Sequence, residues 1–149
     1  MKFTCTVDID LPIDKVIELY DKPENMRHWQ DGFISFEHIS GEPGQPGAQS
    51  HITYKMGKKE MVLLETVVKR ELPHTFNGTY EGDFGKNTMN NSFTELSTTS
   101  TRWQADLEYI QANGFIMKVM TKLFPSIMKR QTQKWCDQFK AWAEKEAKL

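Results

Sequence analysis

The chain opens on an alternation of period two: Phe3, Cys5, Val7 and Ile9 are apolar, and Thr4, Thr6, Asp8 and Asp10 are polar. In an extended strand that period turns one face toward a core and the other toward water. Pro12 stops the strand. Ile13, Val16, Ile17 and Tyr20 then recur at helical spacing and predict a short first helix. Asp21-Lys22-Pro23 breaks it, and Pro23-Glu24-Asn25 suits the opening of a second. Met26 and Trp29 anchor that second helix from one face, and Gly32 ends it.

From residue 33 to residue 110 the signals are those of strands. Residues 33–39 are apolar-rich but ambiguous in phase, and a bulge would reconcile Ile34, Phe36 and Ile39. Residues 41–47 form a surface loop, because Pro43 and Pro46 remove amide donors that a phosphate cradle would need. Ile52, Tyr54 and Met56 alternate, residues 57–60 turn the chain, and a long run follows over 61–72. After a turn at Pro73-His74, Phe76, Gly78 and Tyr80 alternate. A turn at 82–85 leads to Met89, Asn91 and Phe93, and another at 97–100 leads to the last strand. There Trp103, Ala105, Leu107 and Tyr109 alternate with Arg102, Gln104, Asp106 and Glu108, the cleanest half-buried pattern in the chain. Short turns between successive strands predict an antiparallel meander.

After Asn113-Gly114 the spacing changes to three and four: Phe115, Ile116, Val119, Met120, Leu123, Phe124, Ile127 and Met128, then Trp135, Phe139 and Trp142. This predicts one helix of about 30 residues, interrupted only at Pro125. Proline has no amide to give the carbonyl of Thr121 and its ring crowds that carbonyl, so a bend is expected there. Residues 115–124 are rich in Phe and Met, and the adaptable side chains of Met117 and Met120 suit a compliant wall over a cavity mouth. A lid and a static kink that follows a twisted sheet are the two readings of that segment.

The 149 residues fit one domain, 1–149, which at that size buries roughly 70% of its unfolded surface. The net charge of −1 argues against a broad nucleic-acid footprint. No run approaches the ~18 apolar residues of a membrane span, and the first residues lack the apolar stretch of a signal peptide, so a cytoplasmic location is expected. Cys5 and Cys136 belong to no CxxC pair and read as reduced, buried thiols. His28, His38, His51 and His74 are dispersed, with no HxH or HExxH, so neither a metal nor a cofactor is expected. No nucleophile motif is present and no catalytic residue is assigned. Lysines of the last helix interleave with Asp137, Glu144 and Glu146, as on a solvated face.

The order of elements is strand, two short helices, six strands and one long final helix. With the opening Val7-Asp8-Ile9-Asp10-Leu11-Pro12-Ile13-Asp14-Lys15-Val16, the segment Asp21-Lys22-Pro23-Glu24-Asn25 and Trp29, it resembles the START-like superfamily. That group includes the polyketide cyclase/dehydrase-like proteins and the birch-pollen-allergen fold. The resemblance covers the whole chain. It implies an α+β helix-grip fold, in which a curved, seven-stranded antiparallel sheet wraps a long C-terminal helix and leaves a cavity. Members bind lipids, sterols, quinones, polyketides or plant hormones, and a minority are enzymes.

A strongly curved sheet has a concave face too deep for one helix to fill. The alternating inward set is aromatic and aliphatic with a few polar groups, a lining that fits an apolar guest oriented by few contacts. Phe93, Trp103, Leu107, Met120 and Phe124 are the candidate walls, and Asn91, Tyr54 and Tyr80 the candidate orienting groups. An unpaired inward amide costs about 1–3 kcal/mol, so Asn91 needs a partner: a ligand, an ordered water or a tyrosine hydroxyl. Glu65, within an apolar run, is a candidate acid–base group if it faces inward, with Glu95 and Asp106 weaker ones. The leading expectation is a small-molecule binding or carrier protein. The alternatives are a polyketide cyclase or dehydratase using the same cavity, and a protein-interaction module that offers a groove or sheet edge.

Overall fold

The computed structural model describes residues Met1–Leu149. Its strands are β1 (Lys2–Ile9), β2 (Phe33–Ser40), β3 (Gln49–Met56), β4 (Lys59–Glu71), β5 (Thr75–Gly82), β6 (Gly85–Ser97) and β7 (Ser100–Ala112). They form one antiparallel sheet of seven strands, ordered β1-β7-β6-β5-β4-β3-β2. Between β1 and β2 the chain makes α1 (Ile13–Tyr20), a 3-10 turn at Pro23–Asn25, and α2 (Met26–Trp29). It ends in α3 (Gly114–Leu123) and α4 (Pro125–Glu146). The expected meander runs from β2 to β7, and β1 pairs back onto β7. No helix is long and apolar enough to cross a membrane.

The register carries one inward row across the sheet. Trp103, Ala105 and Leu107 stand opposite Val7, Cys5 and Phe3 on one side, and opposite Phe93, Asn91 and Met89 on the other. Met89 and Asn87 stand opposite Gly78 and Tyr80, which in turn face Val67 and Glu65. Because side chains alternate strictly along a strand, Glu65 shares the inward face with all of these.

One half of that face is filled. Phe93, Trp103 and Phe139 pack with Ile9 and Val16, all at most 2% exposed. The Tyr20 ring joins them, 5.0 Å from Phe93 and 5.4 Å from Trp103 between centroids, and Trp29 meets Phe139 at 5.2 Å. Each such aromatic pair adds about 0.5–1.5 kcal/mol beyond the area it buries. Arg70 of β4 fastens the end of α1, its Nη1 donating to Asp21 Oδ1 at 2.9 Å. Cys5 and Cys136 are free and buried, and burial pushes both thiols up from their ordinary range.

Three expectations need correction. The single bent C-terminal helix is instead two helices. Phe124 lies outside the helical region (φ −131°, ψ 50°), and Pro125 takes the first position of α4. The steric restriction that proline places on the residue before it breaks the helix there, and its missing amide costs nothing at a helix start. Met56, expected inward with Ile52 and Tyr54, is exposed, because it stands at the end of β3 opposite Lys59, beside the turn. β2 does carry bulges, between Phe33 and Ser35 and between His38 and Ser40. Ile34 and Ile39 nonetheless stay exposed, since β2 is an edge strand.

Candidate functional site

α4 lies along β1 and against α2, and α3 leaves the end of β7 and meets α4; neither packs closely on β4 or β5. The inward row therefore changes character along the sheet. Phe93, Trp103 and Ala105 are sealed, whereas Leu63, Glu65, Phe76, Tyr80 and Met89 on the same face keep accessible surface. Glu65 and Tyr80 are also deep enough for desolvation to dominate their ionisation. Side chains that are deep yet touchable mark an uncovered stretch of the inner face, a candidate groove. It lies over β4, β5 and the adjoining part of β6.

Local sequence places its polar groups. Gly78 lacks the side chain that would crowd Tyr80: a Cβ there would sit 3.2 Å from the Tyr80 hydroxyl. The ring leans over that gap, and its hydroxyl donates to Glu65 Oε2 at 2.8 Å. Burial raises the Glu65 carboxyl above its ordinary range, and the Tyr80 hydrogen bond offsets part of the rise. Burial likewise raises Tyr80, reinforced by the neighbouring Glu65 charge. The Tyr54 hydroxyl donates to Gln30 Oε1 at 2.7 Å, and its ring stacks on Trp135 at 5.1 Å.

Asn87 completes the set. It stands between Tyr80 and Tyr109 in the register and is buried, and its amide hydrogen-bonds the Tyr109 hydroxyl, offsetting part of the rise that burial causes there. Sequence reasoning misses Asn87 because it starts the strand at Met89. Two residues back along the same alternation would find it.

The sequence-derived candidates divide between the two halves. Asn91 is satisfied by protein: its Nδ2 donates to the Phe76 carbonyl at 3.1 Å, and its Oδ1 accepts from Trp103 Nε1 at 2.9 Å. Neither a guest nor a tyrosine hydroxyl is needed to pair it. Phe93 and Trp103 belong to the filled half and form a floor beside the groove. Leu107 is buried on β7, and Tyr80 stands opposite Glu65 on the inward face, whereas Tyr54 stands opposite Met61, four residues along β4 from Glu65, buried and with its hydroxyl taken by Gln30. Met120 is part-buried on α3, and Phe124 is half exposed at the helix break. Glu95 is exposed, and Asp106 accepts from Thr4 Oγ1 at 2.7 Å and from Gln104, away from the inward row. Two open depressions on the outside of the molecule flank α4. Charged and amide side chains such as Arg27, Asp31, Lys129, Arg130 and Gln138 line them.

Proteins of known structure share this shape. The chain is similar to Zhui aromatase/cyclase from Streptomyces sp. R1128, with a TM-score of 0.82 and 9% identity over 99% of this chain and 95% of that one. It is similar to TTHA0849 from Thermus thermophilus, with a TM-score of 0.78 and 17% identity over 96% and 97% of the two chains. Ara h 8.0201 superposes with a TM-score of 0.72 and 14% identity over 96% and 97%. At these identities the likeness establishes the helix-grip fold. No curated protein sequence matches the chain. The sequence does match the family model described as polyketide cyclase / dehydrase and lipid transport over residues 1–144, nearly its full length, and the chain belongs to that family.

Proposed function

We propose that this protein binds a small, mostly apolar molecule in the groove over β4 and β5. The accessible, largely apolar inner face around the hydrogen-bonded Glu65–Tyr80 pair carries the reading: such a face with few polar groups suits an apolar guest. Leu63, Phe76, Met89 and Leu107 supply apolar wall, Met120 closes from α3, Tyr80 presents its ring beside Glu65, and Tyr54 stands at the far end of the same row. A lipid, quinone or polyketide-like molecule meets that description. The family's description and the shared fold support the same class of guest.

The neutral fluorophore phenylnaphthylamine, an apolar body with one N–H donor, is a suitable probe. It is expected to bind one-to-one with a saturable rise in emission. Met89→Trp places a large ring opposite the side-chain-free Gly78 and so occupies the groove. Binding is then expected to weaken by about tenfold or more, a loss of about 1.4 kcal/mol, because the ring takes the guest's space. The far-ultraviolet circular dichroism should be retained. Undiminished affinity in a folded Met89→Trp protein would place the guest elsewhere.

The Glu65–Tyr80 pair favours a second reading, an enzyme of the cyclase or dehydratase type. Glu65 as carboxylate would accept a proton from a bound substrate, and Tyr80 would hydrogen-bond the oxygen on which charge develops. Turnover of a polyketide-like substrate that is lost in folded Glu65→Gln would support it.

A further inference from the structure

We infer that the outer face of α3, continued by the first turn of α4, docks the protein on an anionic lipid surface. α3 has no buried residue. Phe115, Ile116 and Leu123 are 82%, 77% and 65% exposed. Helical spacing puts positions 115, 116, 119 and 123 on one side, with Lys118 and Lys122, four apart, along its border. The half-exposed Phe124 and Ile127 carry the apolar patch across the break into α4. The stripe expected to face inward thus points largely to water, because the apolar positions of α3 span more than one face and only the Met117–Met120 side meets the body of the protein.

Charge selects what covers this patch. Residues 109–136 contain five cations and no acid, within a chain of net charge −1. Lys134 pairs with Asp31 at 2.7 Å. Lys118, Lys122, Lys129 and Arg130 form no ion pair. The acids that interleave with lysine on the last helix begin only at Asp137, beyond this segment. A second copy of the chain packed on the patch across a two-fold axis would bring like charges together. An anionic bilayer takes both features at once, apolar side chains below the headgroups and cations among the phosphates. In the neighbouring β5–β6 hairpin Lys86 pairs with Glu81 at 3.2 Å, which leaves one acid, Asp83, against the four unpaired cations.

Flotation of the full chain with phosphatidylcholine vesicles, with and without phosphatidylserine, tests this. Binding is expected with phosphatidylserine, weak binding without it, and release at about 1 M salt, where the Debye length is roughly 3 Å. Each basic residue near such a surface strengthens partition about fivefold, so Lys118→Glu/Lys122→Glu is expected to weaken it by roughly 25-fold or more. Ile116→Glu, at a water-exposed position, should also weaken it without changing the melting temperature. Docking needs no guest in the groove, and phenylnaphthylamine affinity is expected to be unaltered in these variants, so the two claims fail separately. Equal binding to both vesicles, no binding to either, or indifference to the charge reversal would overturn the inference. So would sedimentation showing a dimer that Ile116→Glu dissociates.

Discussion

Trp103→Ala is expected to bring the protein close to unfolding rather than merely to loosen a binding site. The indole is 1% exposed and packs against Phe93, Trp29, Phe139 and Tyr20. Truncating such a ring costs about 3–5 kcal/mol from lost contacts and the cavity left behind. It also strands the Asn91 Oδ1, which accepts from the indole and is otherwise sealed, at a further cost of about 1–3 kcal/mol. Against a total of about 5–15 kcal/mol for a typical domain, that removes much of the stability. The urea midpoint should fall steeply for Trp103→Ala and less for Trp103→Phe, which keeps most of the ring. A midpoint unchanged in Trp103→Ala, with only probe binding weakened, would make the residue a wall of the groove and not its floor.

Glu65→Gln is expected to change how stability depends on pH. The carboxyl has an ordinary value of 4.5, and burial raises it in the folded protein. The fold therefore favours the protonated form. That contribution is full below the unfolded-state value and disappears as pH rises through the folded one. Each unit of elevation is about 1.4 kcal/mol given up at neutral pH. Glutamine has nearly the same shape, does not titrate, and its amide oxygen can still accept from the Tyr80 hydroxyl. The variant should match the native protein near pH 4 and exceed it increasingly toward pH 7, by chemical denaturation along a pH series. A difference that stays flat with pH would mean that Glu65 is solvated as an ordinary surface acid.

The sheet was legible wherever one face of a strand was polar. β7 alternates Trp103, Ala105, Leu107 and Tyr109 against Arg102, Gln104, Asp106 and Glu108, so its inward set could be named residue by residue. β4 could not be phased so firmly. Its outer row carries Val62, Leu64 and Val68, with Val62 and Val68 half exposed, so both faces are apolar and the inward placement of Glu65 was only conditional. The interior partner of Asn91 was hidden for a different reason. The bond to Trp103 joins diagonal neighbours on adjacent strands, which only a known register brings together. At Pro125 the sequence marks a disturbance but does not choose between a bend and a break. That choice depends on whether packing holds the preceding turns in line, and α3 has no buried residue to do so.

The most direct test of a guest-holding groove uses the eight methionines as reporters. Met89 stands where the filled core meets the proposed groove and Met117 and Met120 lie on its cover, whereas Met26 packs against the core from α2 and Met56 is exposed at a strand end. In a methyl-labelled protein titrated with phenylnaphthylamine, the Met89, Met117 and Met120 resonances are expected to move together and saturate at one equivalent, with Met26 and Met56 still. Methyl resonances that all stay in place while the probe is in excess, or that shift only at Met56, would contradict the account.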